Sequence, residues 1–151
     1  MTLLTLEHHQ VKILEALRAL DAHLGWMGEE LIIDSTLVYQ FPEPNDPDIS
    51  GVLFMSEADE PNIRLYLTLP WNVQSNQIAR ASEFVIRYGF GLRFGALEFD
   101  LDHGSLRVRM DADVVDDTYK ESIIRLLDRA VALGREVSPK WRSIVCEVVA
   151  M

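Results

Sequence analysis

Over residues 75–113, SNQIARASEFVIRYGFGLRFGALEFDLDHGSLRVRMDAD, the spacing of apolar side chains switches from a helical period to a strand period, with glycines at the switch. Ser75 is placed to cap a helix. Ile78, Ser82, Val85 and Gly89 form one row of it, with Ala81, Phe84 and Tyr88 on one shoulder and Ala79 and Ile86 on the other. Asn76, Arg80, Glu83 and Arg87 leave only a narrow polar strip. An apolar arc this wide has two surfaces to bury, one on a sheet and one on a neighbouring helix or a second copy of the chain. The expected interface is the shoulder Ala81, Phe84 and Tyr88.

Gly89 reads as a left-handed helix stop. Gly89, Gly91 and Gly95 lack the GxGxxG spacing of a nucleotide loop, and a phosphate cradle needs a strand leading into a helix, the reverse of the order here. Leu97, Phe99 and Leu101 then alternate on one strand, and Leu106, Val108 and Met110 on the next, around the turn DHGS. Burying both sets predicts cross-strand pairs Glu98 with Arg109 and Asp100 with Arg107, which makes the RVR run a set of ion-pair partners rather than an RNA contact.

The rest of the chain supplies elements to pack on this unit. Leu6, Ile13, Leu17, Leu20 and Leu24 make an amphipathic helix over residues 6–24, capped by Thr5 and stopped by Gly25. His8 and His9 are about 100° apart on it and His23 is off the stripe, so they do not converge on a metal. Leu31, Ile33, Leu37, Tyr39 and Phe41 predict one strand with Ser35 as its polar exception, followed by an exposed acidic loop, PEPNDPDISG. Residues 52–56 and 63–69 complete a three-stranded antiparallel meander. Thr118 and Glu121 form a capping box ahead of a helix with Tyr119, Ile123, Leu127, Ala130 and Gly134 in its core row. The small pair Ala130 and Gly134 allows a close approach to the sheet. Ser138 and Pro139 predict a separate terminal helix carrying Trp141, Ile144, Val145 and Val148.

Composition limits the partners. The 151 residues fit a single domain, 1–151. With 24 acidic against 14 basic residues the formal net charge is -10, which repels nucleic acid and anionic membrane and favours basic or amphipathic protein partners. Cys146 is the one cysteine, the first residues lack a signal-peptide pattern, and no apolar run has the length of a membrane span, so a cytoplasmic location is expected.

The segments LPWNV and ASEFVIRYGFGLRFGALEFDLDHG, with the arginine-bearing strand after them, resemble the YbjN-like family of bacterial sensory transduction regulators. Gly89 stands where that family commonly has Asn. The resemblance implies the α+β architecture of type III secretion chaperones, in the order α-β-β-β-α-β-β-α(-α), usually dimeric, with about five strands in an antiparallel sheet. It brings no catalytic, cofactor or metal-binding residue to this chain. The expected function is a non-enzymatic, homodimeric protein-binding module, a regulator or adaptor with an unidentified protein partner. The alternative within the same class is a secretion-type chaperone holding an effector segment. A metal-dependent enzyme built on Asp100 and Asp102 with His103 is less favoured, because Asp111 and Asp113 fall roughly 15–25 Å down the returning strand. Cys146 has no evident histidine to activate it as a nucleophile.

Overall fold

The computed structural model describes residues 6–114 and 117–147. Helix α1 (His8–Leu24) is followed by strands β1 (Glu29–Ile33), β2 (Thr36–Phe41), β3 (Gly51–Glu57) and β4 (Asn62–Thr68). Then come helix α2 (Ile78–Phe90), the hairpin β5 (Ala96–Asp100) and β6 (Ser105–Asp113), and helix α3 (Tyr119–Val145). The fold is α+β. Among the described residues the antiparallel sheet has six strands in the order β1-β2-β3-β4-β6-β5, and the helices pack on one face.

The sixth strand comes from the segment expected to be one strand. Asp34 adopts φ 55, a left-handed conformation that a short polar side chain tolerates, and Asp34–Ser35 closes a two-residue hairpin between β1 and β2. Leu31 is thereby set opposite Val38, and Ile33 opposite Thr36. These two residues lie on the helix-free face, opposite to Leu37, Tyr39 and Phe41, with which the period-two pattern had grouped them.

The helix-covered face is filled by Leu37, Phe41, Phe54, Ile63, Leu65, Leu67, Leu106 and Val108, all buried against α1 and α3. Gly134 lets α3 approach the sheet, as its small-residue row predicts, since a Cβ there would lie 3.0 Å from the Leu67 side chain. In α1 the buried residues are Gln10, Ile13, Leu14 and Leu17. Gly25 at φ 68 is the left-handed stop that was expected. The helix begins from Glu7, whose carboxylate and the Gln10 side chain form a reciprocal capping box; Thr5 lies outside the described residues.

Four other expectations are corrected. A 3-10 turn, Ser75–Gln77, precedes α2 and is capped from Gln74, so Ser75 is its first residue and not a helix cap. Gly89 is inside α2, which runs on to Phe90, and the left-handed glycines are Gly25, Gly95 and Gly104. The β5–β6 register sets Glu98 opposite Arg107, Ala96 opposite Arg109 and Asp100 opposite Ser105, one pair away from the predicted one. Finally, α3 is a single helix through Ser138 and Pro139. Pro139 cannot donate to the Arg135 carbonyl, a loss worth about 3 kcal/mol. Burial of Val137, Trp141 and Ile144 along the same face offsets it. The Ser138 hydroxyl, which a new helix would need as its cap, donates instead to Asp48 Oδ1 at 3.2 Å, and Val148 lies outside the described residues.

The chain between β4 and α2 runs against the β5–β6 turn, where Val73 N–H donates to the Gly104 carbonyl at 2.8 Å. A Cβ on Gly104 would lie 2.3 Å from the Val73 carbonyl oxygen, and φ is +70. Gly104→Ala is therefore expected to cost about 2–4 kcal/mol in chemical denaturation. Gly91→Ala, at negative φ with open space around it, is expected to change stability by less than about 1 kcal/mol.

Candidate functional site

The expected interface residues are brought together, but mostly against the rest of the chain. Ala81 is fully enclosed, which withdraws it from any surface role in this conformation. The Phe84 ring lies 6.3 Å from Trp141 and 5.6 Å from Tyr88, and the Tyr88 hydroxyl donates to Glu136 of α3 at 2.6 Å. Burial and that hydrogen bond push the Tyr88 phenol up to about 12. Phe84 and Tyr88 remain half-buried, and Phe84 lines an open cleft of about 480 Å³ between α2 and α3, floored also by Pro139 and Ile144. Two of the cations at its rim are already paired: Arg87 with Glu83 at 2.9 Å, and Arg80 with Glu147.

The apolar surface left to solvent is elsewhere on the molecule. On α2 it is the other shoulder, where Ile86 is 73% and Phe90 95% exposed, one helical turn apart. The second region is the free edge of the sheet at β1. All five of its residues are exposed, Leu31, Ile32 and Ile33 among them, and Met27 just before it is 85% exposed. Sequence periodicity named Ile86 as a shoulder of α2 but hid the β1 edge, because it merged β1 and β2. The Asp-Ser dipeptide between LII and TLVYQF was the available signal for a turn.

At the other end of the sheet the open face is held in ion pairs. Arg107 Nε donates to Glu98 Oε1 at 2.7 Å and its guanidinium sits 3.9 Å from the centre of the Tyr66 ring. Arg109 reaches Glu98 Oε2 at 3.2 Å, and Arg64 Nε donates to Asp111 Oδ1 at 2.8 Å. The bond to Asp111 raises the Arg64 pKa further above its already high value. The RVR arginines thus answer carboxylates, as the sequence suggested, although through a shifted register.

The carboxylates of the metal reading do not converge. Asp100 Oδ1 accepts the Asp102 N–H at 2.9 Å in a local turn, and Asp100 Oδ2 meets His103 Nδ1 at 2.8 Å. Asp111 serves Arg64 and Arg109, and Asp113 lies opposite Asn62 at the far end of β6. Among the described residues no three His, Cys, Asp or Glu side chains are arranged to hold a metal ion. His9 is engaged with the Glu57 carbonyl at 2.9 Å, and Cys146 is exposed just after α3. No described helix is long and apolar enough to cross a membrane.

No protein-family model and no curated protein matches the chain. Neither comparison confirms the YbjN-like resemblance. Among solved structures, a chain of the crystal structure of the ExsC-ExsE complex is similar at a TM-score of 0.41 and 14% sequence identity, over 86% of this chain and 96% of that one.

The His103–Asp100 pair gives a check on the turn geometry. Hydrogen bonding to Asp100 raises the imidazole pKa, and the same bond lowers that of the carboxyl. The pair is intact between these two titrations. It is lost as pH rises through the raised imidazole value and as pH falls through the lowered carboxyl value. An NMR titration is expected to place the His103 midpoint above the ordinary histidine value of about 6.5, and Asp100→Asn to bring it back down.

Proposed function

We propose that this protein is a non-enzymatic, homodimeric protein-binding module, with α2 forming the contact between copies. The observation that supports the reading is the outward row of α2. Ile86 and Phe90 are left in water on a helix whose opposite side is already buried by the sheet and α3. Covering a phenylalanine is worth about 1.5–3 kcal/mol per copy.

A second copy is the occupant this row suits, because it is its own electrostatic complement. Glu83 and Arg87 flank it, 62% and 78% exposed, and pair with each other at 2.9 Å. A two-fold axis near Ile86 would run the two α2 helices antiparallel and bring Glu83 of one copy toward Arg87 of the other. The contact then gathers no excess of either charge, in a chain that otherwise carries a net charge of -10.

The resemblance to YbjN-like regulators supports the role of regulator or adaptor that such a dimer would serve. Sedimentation over a range of concentrations tests the contact. The wild-type chain is expected at twice the monomer mass, and Phe90→Glu or Ile86→Glu at the monomer mass with an unchanged circular dichroism spectrum. A monomeric wild type, or a variant that stays dimeric, would discard α2 as the interface.

A further inference from the structure

Strand β1 is an edge strand built to be paired and left unpaired. Among the described residues its neighbour is β2 alone, and all of its residues are exposed. In a two-residue hairpin the closing pair, Ile33 and Thr36, exchanges hydrogen bonds, and bonded pairs then alternate along the ladder. Glu29, Leu31 and Ile33 therefore direct their N–H and C=O groups to β2. The backbone groups of Glu30 and Ile32 point outward with no described strand to receive them. Natural sheets usually blunt such an edge, and here Leu31, Ile32, Ile33 and Met27 add exposed apolar surface to it.

The geometry points to a binding site for an extended, cationic segment of another protein, added antiparallel to β1 as a further strand of the sheet. It rests on the protein-binding reading above and assigns the partner's chemistry. Side chains of the added strand would lie beside those of β1. Positions across from Ile33, Ile32 and Leu31 take apolar residues, and positions across from Glu30 and Glu29 take lysine or arginine. Read along an antiparallel partner, that is three apolar residues followed by two basic ones.

The acids around this edge exceed its bases. Glu29, Glu30 and Asp34 lie on β1 and its turn, and Glu57 lies across the sheet from Thr36 on the same face as Ile33. Arg18 and Glu30 answer each other at 2.8 Å, which leaves the excess to Glu29, Asp34 and Glu57. The net charge of -10 draws a cation from farther out.

A second copy of the chain is a poor occupant, because every self-pairing of β1 places a carboxylate badly. An axis at Glu30 puts Glu30 against Glu30. An axis at Leu31 puts Glu29 and Glu30 against Ile33 and Ile32. An axis at Ile32 matches the apolar residues but sets Glu30 against Asp34. Like charges directly opposed destabilise a strand pair, and a basic segment relieves each of these conflicts.

The test uses the whole protein and two blocked, dye-labelled peptides. In one, three β-branched apolar residues precede two lysines; in the other the lysines are glutamates. The lysine peptide is expected to bind at least tenfold tighter, with the advantage shrinking as salt is added. On binding, it should slow amide exchange at Glu30 and Ile32. Ile32→Pro removes an outward N–H without touching the β1–β2 ladder, and is expected to weaken binding at least tenfold while the circular dichroism spectrum is kept. Should that variant not fold, Glu29→Lys is the second arm, expected to narrow the preference between the peptides. Equal or absent binding of the two peptides, protection away from β1, or protection of β1 by the protein's own dimerisation would each overturn the proposal. None of these depends on the α2 contact, which sedimentation judges separately.

Discussion

The carboxamide of Gln10 lays out the first part of the sheet. It is 1% exposed, and every polar atom on it is used: Oε1 accepts the Glu7 N–H at 3.0 Å, and Nε2 donates to the carbonyls of Ser35 at 2.9 Å and Ser56 at 2.8 Å. A buried amide left without partners costs about 1–3 kcal/mol, so the β1–β2 turn is held where this side chain can reach Ser35. The chain then reverses at Asp34, and Leu31 and Ile33 are turned out to the helix-free face. Gln77 does the same work at the far end of the molecule. Its Oε1 accepts the Gln74 N–H, while its Nε2 donates to the carbonyls of Ile144, Val145 and Glu147, closing the last turn of α3. Each glutamine completes a capping box at the start of one helical element and spends its amide protons on carbonyls distant in sequence, in the sheet for Gln10 and at the end of α3 for Gln77.

With both ends of the helical layer fixed in this way, the two edges of the sheet differ. At β5, Glu98 is held by Arg107 and Arg109, and α2 packs alongside. At β1, Met27 and Leu31 to Ile33 stand in solvent, while Asp21 of α1 fastens the approach to the strand by accepting from the Gly28 N–H and the Tyr39 hydroxyl. Gly28 is required there for space, since a Cβ would lie 2.5 Å from the Tyr39 ring. The loop before β1 is thus anchored over the core and the strand after it is supported on one side. Among the described residues the outer side of β1 is uncovered, beside a loop anchored by Asp21.

Much of this was legible in the sequence, and what was not failed for identifiable reasons. The α+β class, the helix stops at Gly25, the meander, the hairpin and the close approach at Gly134 follow from periodicity and single-residue conformational limits. The β1–β2 reversal did not, because Leu31, Ile33, Leu37, Tyr39 and Phe41 keep an unbroken alternation in sequence through a two-residue turn that moves Leu31 and Ile33 to the opposite face, and period alone cannot see that turn. The merger of the last two helices into α3 was hidden by Ser138 and Pro139, a strong local start signal overridden by the burial of Trp141, whose Nε1 donates to the Trp71 carbonyl at 2.7 Å. The wide apolar arc of α2 has one shoulder, Phe84 and Tyr88, against α3 and the other, Ile86, in solvent. Which shoulder faces solvent was decided by the position of α3, a tertiary fact. Gln10 and Gln77 went unnoticed because an amide's importance lies in carbonyls 25 to 70 residues away.

Charge separates the roles open to the two uncovered surfaces. A chain at -10 meeting its own copy works against long-range repulsion, so self-association is favoured only where the contact itself is neutral. The Ile86–Phe90 row meets that condition, with Glu83 and Arg87 beside it in equal number. The β1 edge does not, since Glu29, Glu30 and Asp34 bring carboxylates into every register in which it could pair with itself. In the proposed reading the same carboxylates that would oppose open-ended edge-to-edge association of identical chains would leave the backbone groups of Glu30 and Ile32 to a strand of opposite charge. In that reading the acids of β1 would act as a filter, rejecting the chain's own copies and admitting a cationic partner, while dimerisation would fall to the helix whose charges cancel.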